Sequence, residues 1–301
     1  MWRYYGLAPF AWPVSFFDDA STASFLTAVD DTNPAHARLA GLLRATNGDL
    51  ARRERDIRRA FRLRQPFGRV LLTGYYVPRI DASQTPGGAY RYPIHARPAD
   101  LAPGVPYLTR AEIDAGALAG RDLEIAWARD PVDLFLMHVQ GSGRARLPDG
   151  RTIGLLFAAT NHRPYTSLGR IMVERGLVTI ERSTIADLRA ALAALGPDER
   201  LALLRMNDRY TFFRRDDGPA IGASGVPLTP GRSLATDPDL IPPGALLYLE
   251  TPSYRRFVVA QDTGAAITEG RADLFLGEGS QAGAVAGRLR DRGRLWILEP
   301  R

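Results

Sequence analysis

The spacing of apolar and polar positions changes several times along the chain, and each change marks an element. After Asn33-Pro34, apolar residues at Leu39, Leu42 and Leu43 and then at Ile57, Ala60 and Phe61 recur at helical spacing, so the first 65 residues are expected to be helical. Past Pro66 the period shortens. Residues 70–77, VLLTGYYV, are rich in β-branched and aromatic side chains and stop at Pro78, which predicts a strand. Residues 79–110 carry many Pro and Gly and read as turns with short extended pieces.

Residues 134–157 predict a hairpin turning at Pro148-Asp149-Gly150. Strand alternation would put Phe135, Met137 and Val139 on one face and His138, Gln140 and Ser142 on the other. Residues 183–205 return to helix, with Ile185, Leu188, Leu192 and Leu195 on one stripe and Gly196-Pro197 as a stop. Strands are then expected at 246–250 and 257–262, a helix from Ser280 to about Asp291, and a closing strand RLWIL. Many short strands with Gly/Pro turns and few helices point to a mainly β fold with helical decorations, built from β-barrels rather than a parallel α/β sheet. The helical stretch near 183–206 marks the expected boundary between two strand-rich parts.

Composition narrows the function. At 301 residues, with 45% hydrophobic and 24% charged residues, the chain can bury a core. It contains no lysine, so 39 arginines against 33 acids give the net charge of +6. Arginine alone suits phosphate or carboxylate recognition. The joint abundance of Arg, Ala, Gly and Pro is better explained by GC-rich codons, and the densest run, residues 52–64, reads as a solvated helix face. A sequence pI near 9.9 implies only non-specific attraction to anionic polymers, and no nucleic-acid partner is expected. The absence of cysteine excludes disulfides, thiolate zinc, a thiol nucleophile and lipid attachment through sulfur. No apolar run is long enough to span a membrane, and the first twenty residues do not read as a signal peptide.

Several chemistries fail on context. Residues 277–282, GEGSQA, match a relaxed dinucleotide fingerprint, but too little chain follows to complete a βαβ unit. Ser142 and Ser224 lack the spacing of a nucleophile elbow. His36, His95, His138 and His162 are scattered without ligand spacing, so neither a metal nor another cofactor is expected. Carboxylates remain. Asp262 ends a predicted strand, a Gly-rich turn follows, and Asp273 opens the next strand, close to Glu278. Two acids facing one cleft could do acid/base work, one pKa raised by burial and by its neighbour. Spacing alone favours the plainer reading, in which Asp262 caps the turn and Asp273 is solvated.

VLLTGYYVP at 70–78, LFLMHVQGSG at 134–143, PYTSLGR at 164–170 and AQDTGAAITEGRADLFLGEGSQAG at 260–283 resemble, in the same order, the membrane-bound lytic murein transglycosylase A (MltA) family. The resemblance covers roughly residues 65–301 and implies a double-psi β-barrel, residues 1–78 plus 207–301, with a smaller β-barrel inserted at 79–206. It carries a carboxy-terminal three-aspartate (3D) signature. The implied reaction cleaves the β-1,4 bond between N-acetylmuramic acid and N-acetylglucosamine in peptidoglycan, leaving a 1,6-anhydromuramyl end. Asp273 matches the catalytic acid/base and Asp262 a supporting acid. Thr73, Gly74, Tyr75, Tyr76, Gln140, Gly141 and Ser142 match substrate-binding motifs, with Gly74 and Gly141 equally well explained by close strand crossing.

The resemblance also implies a periplasmic, outer-membrane-associated monomer acting on glycan strands without a cofactor, although the chain has neither an evident signal peptide nor an anchoring cysteine. Two other readings stand beside it: an inverting glycoside hydrolase with Asp262 or Glu278 as base, and a non-catalytic glycan-binding module.

Overall fold

A computed structural model describes residues 16–301. The reading of the amino-terminal twenty residues falls mostly on residues 1–15, outside the described part. In chain order the elements are helices α1 (Thr22–Ala28), α2 (Pro34–Ala45) and α3 (Leu50–Ala60), then strands β1 (Phe61–Arg64), β2 (Val70–Val77), β3 (Arg79–Ser83) and β4 (Tyr92–His95). Helix α4 (Arg110–Asp114), strand β5 (Glu124–Ala128), helix α5 (Pro131–Gln140) and strands β6 (Gly143–Arg146) and β7 (Thr152–Thr160) follow. Helices α6 (Leu168–Glu174), α7 (Ile185–Ala193) and α8 (Pro197–Arg205) lead to strand β8 (Thr211–Arg215). The remainder is β9 (Ser233–Ala235), β10 (Leu246–Glu250), β11 (Arg255–Asp262), β12 (Arg271–Glu278), α9 (Gly279–Ala286) and β13 (Arg290–Pro300). The chain is thus mainly β with helices, and it divides into two compact units.

The first unit combines the chain up to Tyr75 with Ile221–Gly277 and Leu289–Arg301. Its helices start on capped residues: the Asn33 side chain accepts the Ala35 amide at 3.0 Å, with Pro34 in the first helical position, and the Asp49 side chain accepts the Arg52 amide at 2.8 Å. Phe61, expected to continue the last helix, instead opens β1, because Phe61 and Leu63 alternate with Arg62 and Arg64 and pair antiparallel with β13. Seven strands form one sheet in the order β1-β13-β10-β11-β9-β12-β2, and β13 also pairs with β2. Period-two alternation buries both faces. Leu246, Tyr248, Phe257 and Val259 pack with Phe25, Leu39, Leu43 and Ile57 of the helices, while Leu247, Leu249, Val258 and Ala260 join Val70, Leu72 and Leu274 on the opposite face. Large, fully enclosed apolar side chains on both faces are the main stabilising term here.

The second unit holds Tyr76–Ala220 and Glu278–Arg288, with a six-stranded sheet in the order β4-β5-β3-β6-β7-β8. The predicted turn at Pro148-Asp149-Gly150 joins β6 to β7, with Gly150 at φ +85°. The strand expected before it does not form: residues 131–140 are helix α5. Asp130 caps that helix through the Val132 amide at 2.7 Å, Pro131 occupies its first turn, and Gly141 ends it in the left-handed conformation at φ +79°. Leu134 and Met137 face the sheet, while Val132, Phe135 and Leu136 face α6, α7 and α8. A helix covered on both sides is apolar all round, and so loses the periodicity by which sequence reveals it.

The expected assignment of faces therefore fails: His138 is buried beside Met137, and Val139 is exposed. Gly196-Pro197, expected as a stop, is the cap and first residue of α8. The chain adds β8 to the same sheet after α8, so this unit continues to Ala220. The carboxy-terminal helix is shorter than expected, because β13 already starts at Arg290.

Candidate active site

Strand β9 is only three residues long, and it aligns the two acids. It runs parallel to β11 with Ala235 opposite Asp262, and antiparallel to β12 with Ala235 opposite Asp273. Residues in one row across adjacent strands point to the same face, so both carboxylates flank Ala235 on one side of the sheet. Two inter-strand spacings put their Cα atoms roughly 10 Å apart. A bulge between Ala260 and Asp262 sets this register.

Asp262 is held by three donors. The Tyr75 hydroxyl donates to its Oδ2 at 2.8 Å, and the amides of Ala223 and Thr263 donate to its Oδ1 at 2.9 Å each. Burial pushes its carboxyl above the usual range, and those three hydrogen bonds pull back toward the ionised form. Burial, together with the charges of Asp262 and Asp273, raises the Tyr75 hydroxyl well above its ordinary value and keeps it a donor. Its ring packs against Phe275 with centroids 5.3 Å apart. A cavity of about 140 Å³ lies beside Asp262, lined in part by Ala223, Ser224, Thr236 and Ile241.

Asp273 is half-buried and sparsely partnered. Its side chain is 15% exposed and its Oδ1 accepts no hydrogen bond. The Arg271 Nε lies 3.5 Å from that oxygen. Burial raises the Asp273 carboxyl, Arg271 opposes the rise, and Asp262 adds to it. The two neighbouring acids thus differ in their partners: three hydrogen-bond donors on Asp262, and one distant cation beside Asp273.

Of the residues expected at the site, Thr73, Gly74 and Tyr75 lie on β2 in the same unit as the two acids. Thr73 Oγ1 accepts from Arg271 Nε and Nη2, both at 3.2 Å. Tyr76, Gln140, Gly141 and Ser142 belong to the second unit, where the Tyr76 amide donates to Gln140 Oε1 at 3.2 Å and Tyr76 itself is 7% exposed. Gln140 ends a helix rather than standing on a strand face. Glu278, also in that unit, is paired with Arg144 at 2.9 Å. The sequence reading missed Arg271 and the two amides on Asp262. Arg271 was within reach, because it stands two positions before Asp273 on one strand face.

The histidines serve packing and hydrogen bonding: His36 Nε2 lies 2.8 Å from the Gly244 carbonyl oxygen, and His138 Nδ1 accepts from Arg110 at 3.0 Å. Among the described residues no group of three or more His, Cys, Asp or Glu side chains could hold a metal ion.

Two family models match the chain: the MltA specific insert domain over residues 71–214 and the 3D domain over residues 232–299. A solved membrane-bound lytic murein transglycosylase from Agrobacterium tumefaciens is 30% identical, with a TM-score of 0.74 over 93% of this chain and 91% of that one. The chain belongs to the MltA family. The solved Escherichia coli MltA with bound chitohexaose is 29% identical, with a TM-score of 0.84 over 99% of this chain and 95% of that one. Membrane-bound lytic murein transglycosylase A of Vibrio cholerae is 34% identical over 244 residues, 77% of this chain. The chain spans 66% of the length of that relative, and likewise 66% of the E. coli one, to which it is 35% identical.

Proposed function

We propose that this MltA-family chain is a peptidoglycan lytic transglycosylase, cleaving the β-1,4 bond between N-acetylmuramic acid and N-acetylglucosamine with Asp273 as the acid/base. The observation that carries the reading is the contrast between the two acids flanking Ala235: Asp262 is satisfied by three donors, whereas Asp273 keeps a buried oxygen free of hydrogen bonds. A carboxyl pushed up by burial is suited to begin protonated.

Asp273 donates its proton to the glycosidic oxygen as the C1–O bond breaks through an oxocarbenium-like state. The resulting carboxylate then takes the proton of the muramyl C6 hydroxyl, whose oxygen bonds C1 and closes the 1,6-anhydro ring. The nucleophile is already part of the substrate, so its effective concentration is high and no second carboxylate has to activate water. Asp262, fixed by Tyr75 and the two amides, supports the site through its negative charge, which favours the protonated form of Asp273 before the reaction. Tyr75, Tyr76, Gln140 and Ser142, with Thr73, Gly74 and Gly141, are proposed to contact the glycan.

The same reading makes the seven-stranded unit a double-psi β-barrel interrupted by a second, smaller barrel, with the expected boundary at 206 moved on to Ala220. Six strands hydrogen-bonded in a cycle from β13 through β10, β11, β9, β12 and β2 support it, as do the insert-domain match over 71–214 and the compactness of Tyr76–Ala220. A periplasmic location with outer-membrane association is part of the same proposal, and the relatives' description as membrane-bound supports a membrane association. Among the described residues no helix is long and apolar enough to cross a membrane. Incubating purified sacculi with the wild type and with Asp273→Asn tests the assignment: the wild type should release soluble fragments and the variant should not, and an Asp273→Asn protein that clears sacculi at the wild-type rate would refute it.

A further inference from the structure

We propose that Arg271 is the positioning residue that sets the charge of Asp273 through the catalytic cycle, a tethered counter-cation rather than a surface ion pair. This inference rests on the transglycosylase reading of the same site.

The reaction asks Asp273 to be neutral, then anionic, then neutral again. Asp273 Oδ1 is buried without a hydrogen bond, and among the described residues the cation beside it is Arg271, 3.5 Å away. That distance is too long for a charge-assisted hydrogen bond, which closes to roughly 2.7–2.9 Å. Arg271 is held at it by Thr73, whose single hydroxyl oxygen accepts both Nε and Nη2. Strand geometry fixes both ends. Arg271 and Asp273 are two positions apart on β12 and share a face, while Thr73 comes from β2, the next strand in the sheet. The Arg271 side chain is 36% exposed, whereas that of Asp273 is 15% exposed.

The groups facing Asp273 are Arg271 on its own strand, Asp262 at the end of β11 and Tyr75 on β2. Tyr75 stays neutral, and Asp262 opposes ionisation. Arg271 alone favours the carboxylate formed when the proton has gone to the leaving oxygen, and it holds that carboxylate until the C6 hydroxyl returns a proton. The Nε that faces Asp273 also donates to Thr73, so one corner of the planar fork sits between the hydroxyl and the carboxyl.

The pH dependence of anhydromuropeptide release from sacculi, measured for the wild type, Arg271→Gln and Arg271→Lys, tests the proposal. Removing the cation should move the alkaline limb upward by roughly half to one pH unit, less than a fully buried opposite charge would give. It should also lower kcat about tenfold, with KM within about twofold, as expected for an interaction formed after substrate is bound. Arg271→Lys should restore the limb and most of kcat. A second readout needs no turnover: the Asp273 carboxyl carbon, assigned by its loss in Asp273→Asn, should titrate at higher pH in Arg271→Gln than in the wild type. An unmoved limb and unmoved titration in Arg271→Gln would overturn the proposal, and so would an Arg271→Lys protein as impaired as Arg271→Gln. A wild type that releases no anhydro ends would instead overturn the transglycosylase reading on which it rests.

Discussion

A carboxyl that has to be protonated before it can act gains from leaving water, but the same burial costs stability once the pH rises. Asp273 has its carboxyl raised on folding, chiefly by burial, so its contribution to stability is complete below the unfolded value, about 3.9, and is lost as the pH climbs through the raised one. Asp273→Asn should therefore be more stable than the wild type near pH 7 and show no such gain near pH 3. Thermal unfolding at the two pH values checks this, and equal differences at both would contradict it. The same variant should lose cleavage activity by about 10²–10⁴-fold, the usual worth of a general acid/base. Tyr75→Phe leaves Asp262 Oδ2 without its donor and should cost about 1–3 kcal/mol in urea unfolding while also slowing cleavage. Both acids could be named from the sequence, but their unequal environments could not, since the donors to Asp262 come from Ala223 and Tyr75, distant in the chain.

At the level of elements, strands with β-branched runs bounded by Gly or Pro, such as VLLTGYYV, could be read directly, because pattern and terminators agree. Helix α5 could not be read from its apolar residues, which meet neighbours on both sides; its signature lay in Asp130-Pro131 and Gly141 at the two ends. Asp130→Ala should accordingly destabilise the second unit by about 1 kcal/mol, measurable by chemical unfolding, and an unchanged midpoint would argue against the cap. Strand β9, with three residues, is too short to leave a pattern, yet it decides that the two acids share a face. A close approach nearby gives a sharper test. A Cβ on Gly222 would lie 2.2 Å from the backbone oxygen of Gln261, just before Asp262. Gly222→Ala should shift that strand end, cost about 1–3 kcal/mol and depress cleavage, whereas wild-type stability and activity would show the segment to be freer than described.

For the whole molecule, mainly β architecture followed from the short strands and their turns, while the course of the second unit did not. The helices near residue 206 look like a boundary in sequence, but β8 returns to the second unit's sheet after them. The charge of +6 enters at this scale as non-specific attraction to anionic polymers rather than as chemistry. The central claim is that the muramyl C6 hydroxyl, not water, takes the place of the departing sugar. Digesting sacculi in ¹⁸O-labelled water and weighing the released muramyl ends tests it most directly: the account predicts unlabelled 1,6-anhydro ends, lighter by one water than reducing ends, and predominant ¹⁸O-labelled reducing ends would contradict it.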